Sequence, residues 1–92
     1  MGHNTYIKKS RNILSKTLDG ETVLVTKDTW RCYLLNGTGT IIWRMCNGNN
    51  SIGYITQTLS RRYDQKTPLS LMGVKRFLLS LRKKKLVEFI EQ

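Results

Sequence analysis

The chain has 92 residues, with 16 lysines and arginines against 6 aspartates and glutamates, which gives a formal net charge of +10. A chain of this length forms one modest core and leaves little room for a deep catalytic cleft, which argues against an elaborate enzyme. So large a positive excess favours an acidic or polyanionic partner, although basic residues can also serve only as a solvated surface.

The first ten residues are expected to form a flexible lead-in to a single domain over residues 11–92. Strands are predicted over residues 11–18, 22–26 and 30–35. Asp19-Gly20 has the composition of a two-residue hairpin turn, and the second strand is rich in β-branched side chains. Tight turns between successive strands indicate an antiparallel meander, whose third strand is an edge unless another element covers it.

Two amphipathic helices are predicted after the strands. The first covers residues 37–46, with Asn36 as its cap and Asn47-Gly48 as its end. The second follows a capping Ser51, and its apolar stripe recurs at i, i+3, i+7 and i+11 in Ile52, Ile55, Leu59 and Tyr63. Each helix therefore has one face to bury.

A third helix is predicted over residues 68–84, because Thr67-Pro68 combines a hydroxyl cap with proline at the first helical position. Its main apolar face consists of Leu71, Val74, Phe77, Leu78 and Leu81. A second, apolar and cationic stripe consists of Met72, Lys75, Leu79 and Arg82. Spacing alone leaves two interpretations open, a helix buried over a wide arc or a helix that forms the wall of a groove. Residues 86–90 are predicted to add a short final strand.

The sequence lacks the side-chain sets that catalysis, cofactor binding and metal binding require. It has no phosphate-binding loop, and its few carboxylates are scattered along the chain. Cys32 and Cys46 are too few for a disulfide framework, lie at apolar-face positions, and have no metal-binding partner except His3 near the terminus. No secretory signal or run of about 20 apolar residues occurs, so we expect a cytoplasmic protein without enzyme activity or cofactor.

The order of elements predicts an α+β fold of the winged helix-turn-helix type, with a three-stranded antiparallel sheet followed by three helices. Two functions fit this fold. A DNA-binding protein would place the third helix in the major groove, with Lys75, Arg76 and the basic run over residues 82–85 on phosphates. However, Phe77, Leu78 and Leu79 leave few polar side chains to read bases. A peptide-binding protein would accept an extended segment as an added strand at the edge formed by residues 30–35.

Four segments between Leu18 and Glu88 resemble the PqqD-like family, also called the RiPP precursor recognition element. They are DGETVLV, YLLNGTG followed by Trp43, the helix end RRY, and FLLSLRKKKLVE. The resemblance implies a small non-catalytic domain that holds the leader of a ribosomally made precursor peptide between its third strand and third helix. Carried onto this chain, it implicates the backbone of Arg31, Cys32, Tyr33 and Leu34, and the side chains of Val74, Lys75, Leu78, Leu79 and Arg82.

The chain departs from the usual family pattern at Gly73, where an acidic residue is common, and at Lys85, where glycine often ends the helix. It is most similar to free-standing members in lasso-peptide pathways, whose partners are a transglutaminase-like leader peptidase and an asparagine-synthetase-like cyclase. Members that serve radical-SAM enzymes, including those of pyrroloquinoline quinone synthesis, look alike at this level. The expected partners are therefore a leader peptide and its modifying enzymes, with no membrane and with DNA binding as the alternative.

Overall fold

A computed structural model describes residues 4–62 and 71–91. In chain order its elements are β1 (Tyr6–Lys9), β2 (Ile13–Leu18), β3 (Glu21–Thr26), β4 (Cys32–Leu35), α1 (Gly37–Met45), β5 (Asn47–Ser51), α2 (Ile52–Arg62), α3 (Leu71–Lys83) and β6 (Val87–Ile90). The described chain is thus a mixed α+β fold with three helices and two three-stranded antiparallel sheets.

One sheet, here called the meander sheet, has the order β2-β3-β4 and matches the three predicted strands. Asp19 and Gly20 both have positive φ angles, 53° and 77°, as a tight hairpin turn between β2 and β3 requires. The β3–β4 turn closes where the Thr26 N–H donates to the Arg31 carbonyl at 3.0 Å, and Trp30 lies in this turn with a φ of 55°. The predicted third strand therefore starts at Cys32 rather than at residue 30.

The other sheet, here called the terminal sheet, has the order β5-β1-β6 and corrects the predicted topology. The sequence predicts a flexible Tyr6–Lys9, yet this segment is the central strand of the terminal sheet, and Ile7 is fully buried. Asn47–Ser51 has little strand propensity, and it is held in the sheet by antiparallel pairing with β1. Because β5 lies between two helices, the predicted order of sheet followed by helices is wrong, and the winged-helix description is not confirmed.

The predicted core faces of the second and third helices are confirmed where the structure describes their side chains, except that Phe77 is only partly buried. Ile52, Ile55 and Leu59 of α2 are fully buried. Val74, Leu78 and Leu81 of α3 are at most 2% exposed. These side chains pack with Leu24 of the meander sheet and with Ile7, Leu86 and Val87 around the terminal sheet. The predicted stripe member Tyr63 and the predicted helix start at Thr67-Pro68 lie outside the described residues.

The ends of the helices are fixed by identifiable hydrogen bonds. The Tyr54 N–H donates to the Ser51 hydroxyl, which caps α2 as predicted, whereas the Asn36 side chain makes no capping bond to α1. Past the end of α3, Lys85 has a φ of 62°, its N–H donates to the Arg82 carbonyl, and the Leu86 N–H donates to the Leu81 carbonyl. This is a Schellman arrangement, in which glycine would be the least strained residue at position 85.

The two cysteines are both free but differ in environment. Cys46 is fully buried and its thiol donates to the Ile42 carbonyl at 3.2 Å, as expected of a small apolar residue. Desolvation raises the pKa of Cys46 to about 12, an effect that the charge of Lys9 partly opposes. Cys32 is exposed, contrary to the expected burial.

No helix within residues 4–62 and 71–91 combines the length and the apolar character needed to cross a membrane.

The meander sheet buries only one of its faces. Its outer face exposes the large apolar side chains of Leu14, Leu18, Val23 and Leu34.

The two tryptophans form a natural pair for testing the core. Trp43 is 2% exposed and Trp30 is 68% exposed. We expect Trp43→Ala to lower the free energy of unfolding by about 3–5 kcal/mol, because it leaves a large cavity. Trp30→Ala should change it by only about 0.5 kcal/mol, as is usual for surface positions. Urea unfolding followed by circular dichroism measures both values, and an equal cost for the two variants would contradict this assignment of the core.

The cysteines should differ in reactivity because only the thiolate attacks alkylating reagents. At about pH 8 the Cys46 thiol remains protonated and buried, so we expect iodoacetamide to modify Cys32 and to spare Cys46 until the chain is unfolded. Intact-mass spectrometry should show one adduct in the folded protein and two in urea. Rapid double modification under native conditions would place Cys46 outside the core.

Candidate functional site

The outer edge of β4 carries backbone groups that the sheet does not use. Within the described part of the chain, β4 pairs with β3 and with no other strand. The Thr26 N–H to Arg31 carbonyl bond makes this residue pair a hydrogen-bonded one, and such pairs alternate along an antiparallel ladder. The backbone groups of Arg31, Tyr33 and Leu35 therefore point towards β3, whereas those of Cys32 and Leu34 point towards the open edge.

Helix α3 faces this edge across a cleft that contains two cavities. The smaller has a volume of about 310 Å³ and lies between the end of β4, the start of α1 and the first turns of α3. Asn36 and Thr38 are the polar residues of its lining. The other lining residues are apolar or glycine: Leu34, Leu35, Gly39, Ile42, Gly73, Val74 and Phe77. We call this the apolar end of the cleft.

The larger cavity has a volume of about 920 Å³ and lies between the start of β4 and the last turn of α3. Its lining includes five cationic side chains, those of Arg11, Arg31, Lys83, Lys84 and Lys85. Two carboxylates, Asp28 and Glu88, also line it, together with Tyr33, Ile13 and small polar residues. We call this the basic end of the cleft.

Hydroxyl hydrogen bonds hold the β4–α1 corner at the apolar end. The Thr40 hydroxyl donates to the Leu35 carbonyl at 3.1 Å, and the Thr22 hydroxyl donates to the Thr40 oxygen at 3.1 Å. Thr22 and Thr40 are both buried, so these bonds are shielded from water. They join β3, the last residue of β4 and the first turn of α1 into one unit.

Gly39 allows α3 to approach this corner closely. A Cβ atom at position 39 would lie 3.2 Å from Cζ of Phe77, which is tighter than an ordinary van der Waals contact. The Phe77 ring therefore packs directly on the first turn of α1. This contact positions the apolar end of the cleft on the α3 side.

A cation–π contact spans the basic end. The Lys84 Nζ lies 5.6 Å from the centroid of the Tyr33 ring, so the last turn of α3 reaches the β4 wall. The Lys84 Nζ also donates to the Ser80 hydroxyl at 3.1 Å. In contrast, the Arg82 guanidinium lies over the Phe89 ring of β6 at 4.9 Å.

The structure places the residues that the sequence assigned to a site in three different locations. Arg31, Tyr33, Leu34 and Val74 line the cleft, and Cys32 lies on the open edge between them. Leu78 is fully buried in the core. Lys75, Leu79 and Arg82 line neither cavity.

The helix residues that do line the cleft form a different stripe. Gly73, Phe77, Ser80 and, just past the end of α3, Lys84 follow one another at i, i+4, i+7 and i+11 and line one or other cavity. Val74 and Lys83 line the cavities on either side of this stripe. At about 100° per residue, Leu79 lies roughly half a turn away from Phe77. The same periodicity is present in the sequence, but sequence reasoning assigns Phe77 to the core and Ser80 to no face.

The described residues contain no group of three or more His, Cys, Asp or Glu side chains that could hold a metal ion. What the cleft offers is a row of free backbone groups, an apolar end and a basic end. These features suit the binding of an extended, partly acidic chain more than a chemical reaction.

Comparison with known proteins gives two matches. The sequence profile of the family described as "Coenzyme PQQ synthesis protein D (PqqD)" matches residues 21–87. A solved structure described as "TbiB1 in Complex with the TbiA(beta) Leader Peptide" is similar to this chain with a TM-score of 0.79 and 26% sequence identity, and the similarity covers 88% of this chain and 94% of that chain. No curated protein sequence matches the chain.

Proposed function

This chain belongs to the PqqD family, and on that basis we propose that it binds the leader segment of a ribosomally made precursor peptide as an added strand on β4. The leader lies in the cleft between β4 and α3. The protein itself carries out no reaction and presents the bound precursor to modifying enzymes.

The free edge of β4 is the observation that carries this proposal. The backbone groups of Cys32 and Leu34 face a cleft whose far wall is a helix. Each backbone hydrogen bond to a leader contributes a net 0.5–1.5 kcal/mol or so. An apolar leader side chain buried at the Phe77 end adds about 1.5–3 kcal/mol. A few such contacts suffice for specific binding of an extended peptide.

Similarity to a leader-bound protein supports the same conclusion. TbiB1 is described in complex with the TbiA(beta) leader peptide, and its similarity to this chain covers most of both chains. The sequence resemblance to free-standing members of lasso-peptide pathways leads us to assign the leader peptidase and the cyclase of such a pathway as the enzymes that receive the precursor.

The comparisons do not support the DNA-binding alternative. On α3, Leu78 is fully buried and Phe77 packs against the core, so neither reaches a DNA groove. The cations at the end of the helix line a cleft beside a sheet edge. Duplex DNA is therefore a control ligand in the experiments below.

Leu34→Pro tests strand addition directly, because it removes an N–H that faces the open edge. Proline is tolerated on edge strands at positions whose N–H does not pair within the sheet. The probe is a fluorescein-labelled candidate leader peptide that binds the wild-type protein, and binding is measured by fluorescence polarisation. We expect the Kd for this leader to rise about tenfold or more, which corresponds to the loss of about 1.4 kcal/mol.

Leu34→Ala is the matched control, since it removes the same side chain but keeps the N–H. It should bind more tightly than Leu34→Pro, and both should unfold at nearly the wild-type urea midpoint. Equal affinities of the proline and alanine variants would show that the edge N–H is not used. Tight binding of duplex DNA in preference to the leader would overturn the proposal.

Adjacent tryptophan substitutions test which face of α3 meets the leader. Ser80 lines the cleft, whereas Leu79 is 43% exposed and lines neither cavity. Ser80→Trp should obstruct the cleft and weaken leader binding about tenfold or more, while Leu79→Trp should leave the Kd nearly unchanged. Isothermal titration calorimetry gives both values. The reverse pattern would restore the face predicted from the sequence, with Lys75, Leu79 and Arg82.

A further inference from the structure

The β4 wall of the cleft has a chemical gradient along its length. Arg31, Tyr33 and Leu35 lie on the same side of the strand, because their partners on β3, Thr26, Leu24 and Thr22, are all buried. Along this wall the side chains change from a guanidinium to a phenol to an isobutyl group. The cationic residue lines the basic end and Leu35 lines the apolar end.

The α3 wall has the same gradient in the same spatial direction. Phe77 lines the apolar end, Ser80 lines the basic end, and Lys84 follows one turn later beside Tyr33. Because the helix runs opposite to β4, its C-terminal cations come to lie near the N-terminal end of the strand. Both walls therefore select for an apolar group at one end and an anionic group at the other.

The basic end holds more positive charge than its own carboxylates can neutralise. Five cationic side chains line it against two carboxylates, an excess of three positive charges. Among the described residues, Glu88 pairs with Lys8, whose Nζ lies 3.9 Å from the Glu88 Oε1. Lys8 does not line the cavity, so this ion pair neutralises none of the five cations there. Like charges this close together repel one another, and a bound anion would reduce that repulsion.

Lys85 adds to this excess at a position that favours a different residue. Its φ of 62° lies in the left-handed region, where glycine is the least strained residue. A lysine at this position is unfavourable for the fold but places another cation at the cavity. Lys85 thus contributes to the charge excess despite a local conformational cost.

A bound strand that continues the antiparallel pattern of the meander sheet has a defined direction. The meander sheet is antiparallel throughout, and an antiparallel strand added to β4 runs from the apolar end to the basic end. A ligand residue opposite Leu35 then precedes the ligand residue opposite Arg31 by four positions. The two side chains share one face of the added strand, about 13 Å apart.

We infer that the peptide recognised by this cleft carries a bulky apolar residue followed, four positions towards its C-terminus, by an aspartate or glutamate held between Arg31 and Lys84. This inference rests on the proposed strand addition and extends it to the sequence and direction of the ligand. The carboxylate selects register and polarity, because a reversed or shifted peptide brings its apolar residue to the cations.

A phage-displayed library of random dodecapeptides tests the motif independently of the sequence of the natural leader. The immobilised wild-type protein should enrich peptides with an apolar residue and an acidic residue four positions later. Changing that acidic residue to its amide in a selected peptide should raise the Kd about tenfold.

Charge-reversed variants assign the acidic preference to specific residues. Arg31→Glu/Lys84→Glu should retain the apolar preference and lose the acidic one, or replace it by lysine and arginine. The control Lys16→Glu/Arg44→Glu makes the same change of net charge at residues outside both cavities, and it should select the wild-type motif. Circular dichroism checks folding, and Arg31→Gln/Lys84→Gln replaces the reversed pair if that pair is unfolded.

Failure of the motif and failure of the proposed function give different results. Peptides that share an apolar anchor but lack the acidic residue, or carry it on the N-terminal side, would overturn the inference and leave peptide binding intact. No enrichment on wild-type protein over a bare surface would overturn peptide binding itself. If the same peptides were also enriched on the Leu34→Pro variant, they would not be binding to the β4 edge, and the inference would be overturned.

Discussion

The cleft depends on one buried set of hydrogen bonds, those of the Thr40 hydroxyl with the Leu35 carbonyl and with Thr22. This hydroxyl fixes the first turn of α1 against the end of β4. Gly39 on the same turn then receives the ring of Phe77 from α3. The helix is thereby placed opposite the sheet edge, while its buried face packs against α2 and β6. A strand edge and a helix wall are held apart as a result, and the space between them is the cleft proposed to bind the leader.

The two sheets have different roles in this arrangement. The terminal sheet brings together the first and last strands of the described chain, with the fully buried Ile7 at its centre. It forms a base for α3 through β6 and through the Arg82–Phe89 contact. Within the described residues the meander sheet instead leaves the outer edge of β4 unpaired and one of its faces exposed. The edge proposed for peptide binding therefore belongs to the meander sheet, whereas the terminal sheet supports α3.

Exposed strand edges invite pairing with a second copy of the same chain, and natural proteins often protect them with charge. Here Arg31 and Lys84 stand beside the open edge of β4. A second copy of β4 paired antiparallel in full register would place its Arg31 opposite Leu35, so that a basic end would meet an apolar end. A ligand with a carboxylate would instead neutralise the cations. This mismatch disfavours self-association, and in the proposed mode of binding the cations favour an acidic partner, which would give part of the net charge of +10 a role in addition to solvation.

The sequence alone determined those elements whose signal is local. Strands β2 to β4, the three helices, β6, and the buried stripes of α2 and α3 follow from alternation, helical spacing and turn composition. It also determined the family and the open edge of the third predicted strand. Tertiary structure decided the rest. Tyr6–Lys9 and Asn47–Ser51 are strands because they pair with each other, and Tyr6–Lys9 also pairs with β6. The residues of these two segments do not by themselves favour a strand. The cleft face of α3 was likewise undetermined, because spacing gives the period of a stripe, whereas contacts such as that of Phe77 with Gly39 set the rotation of a helix against its neighbours.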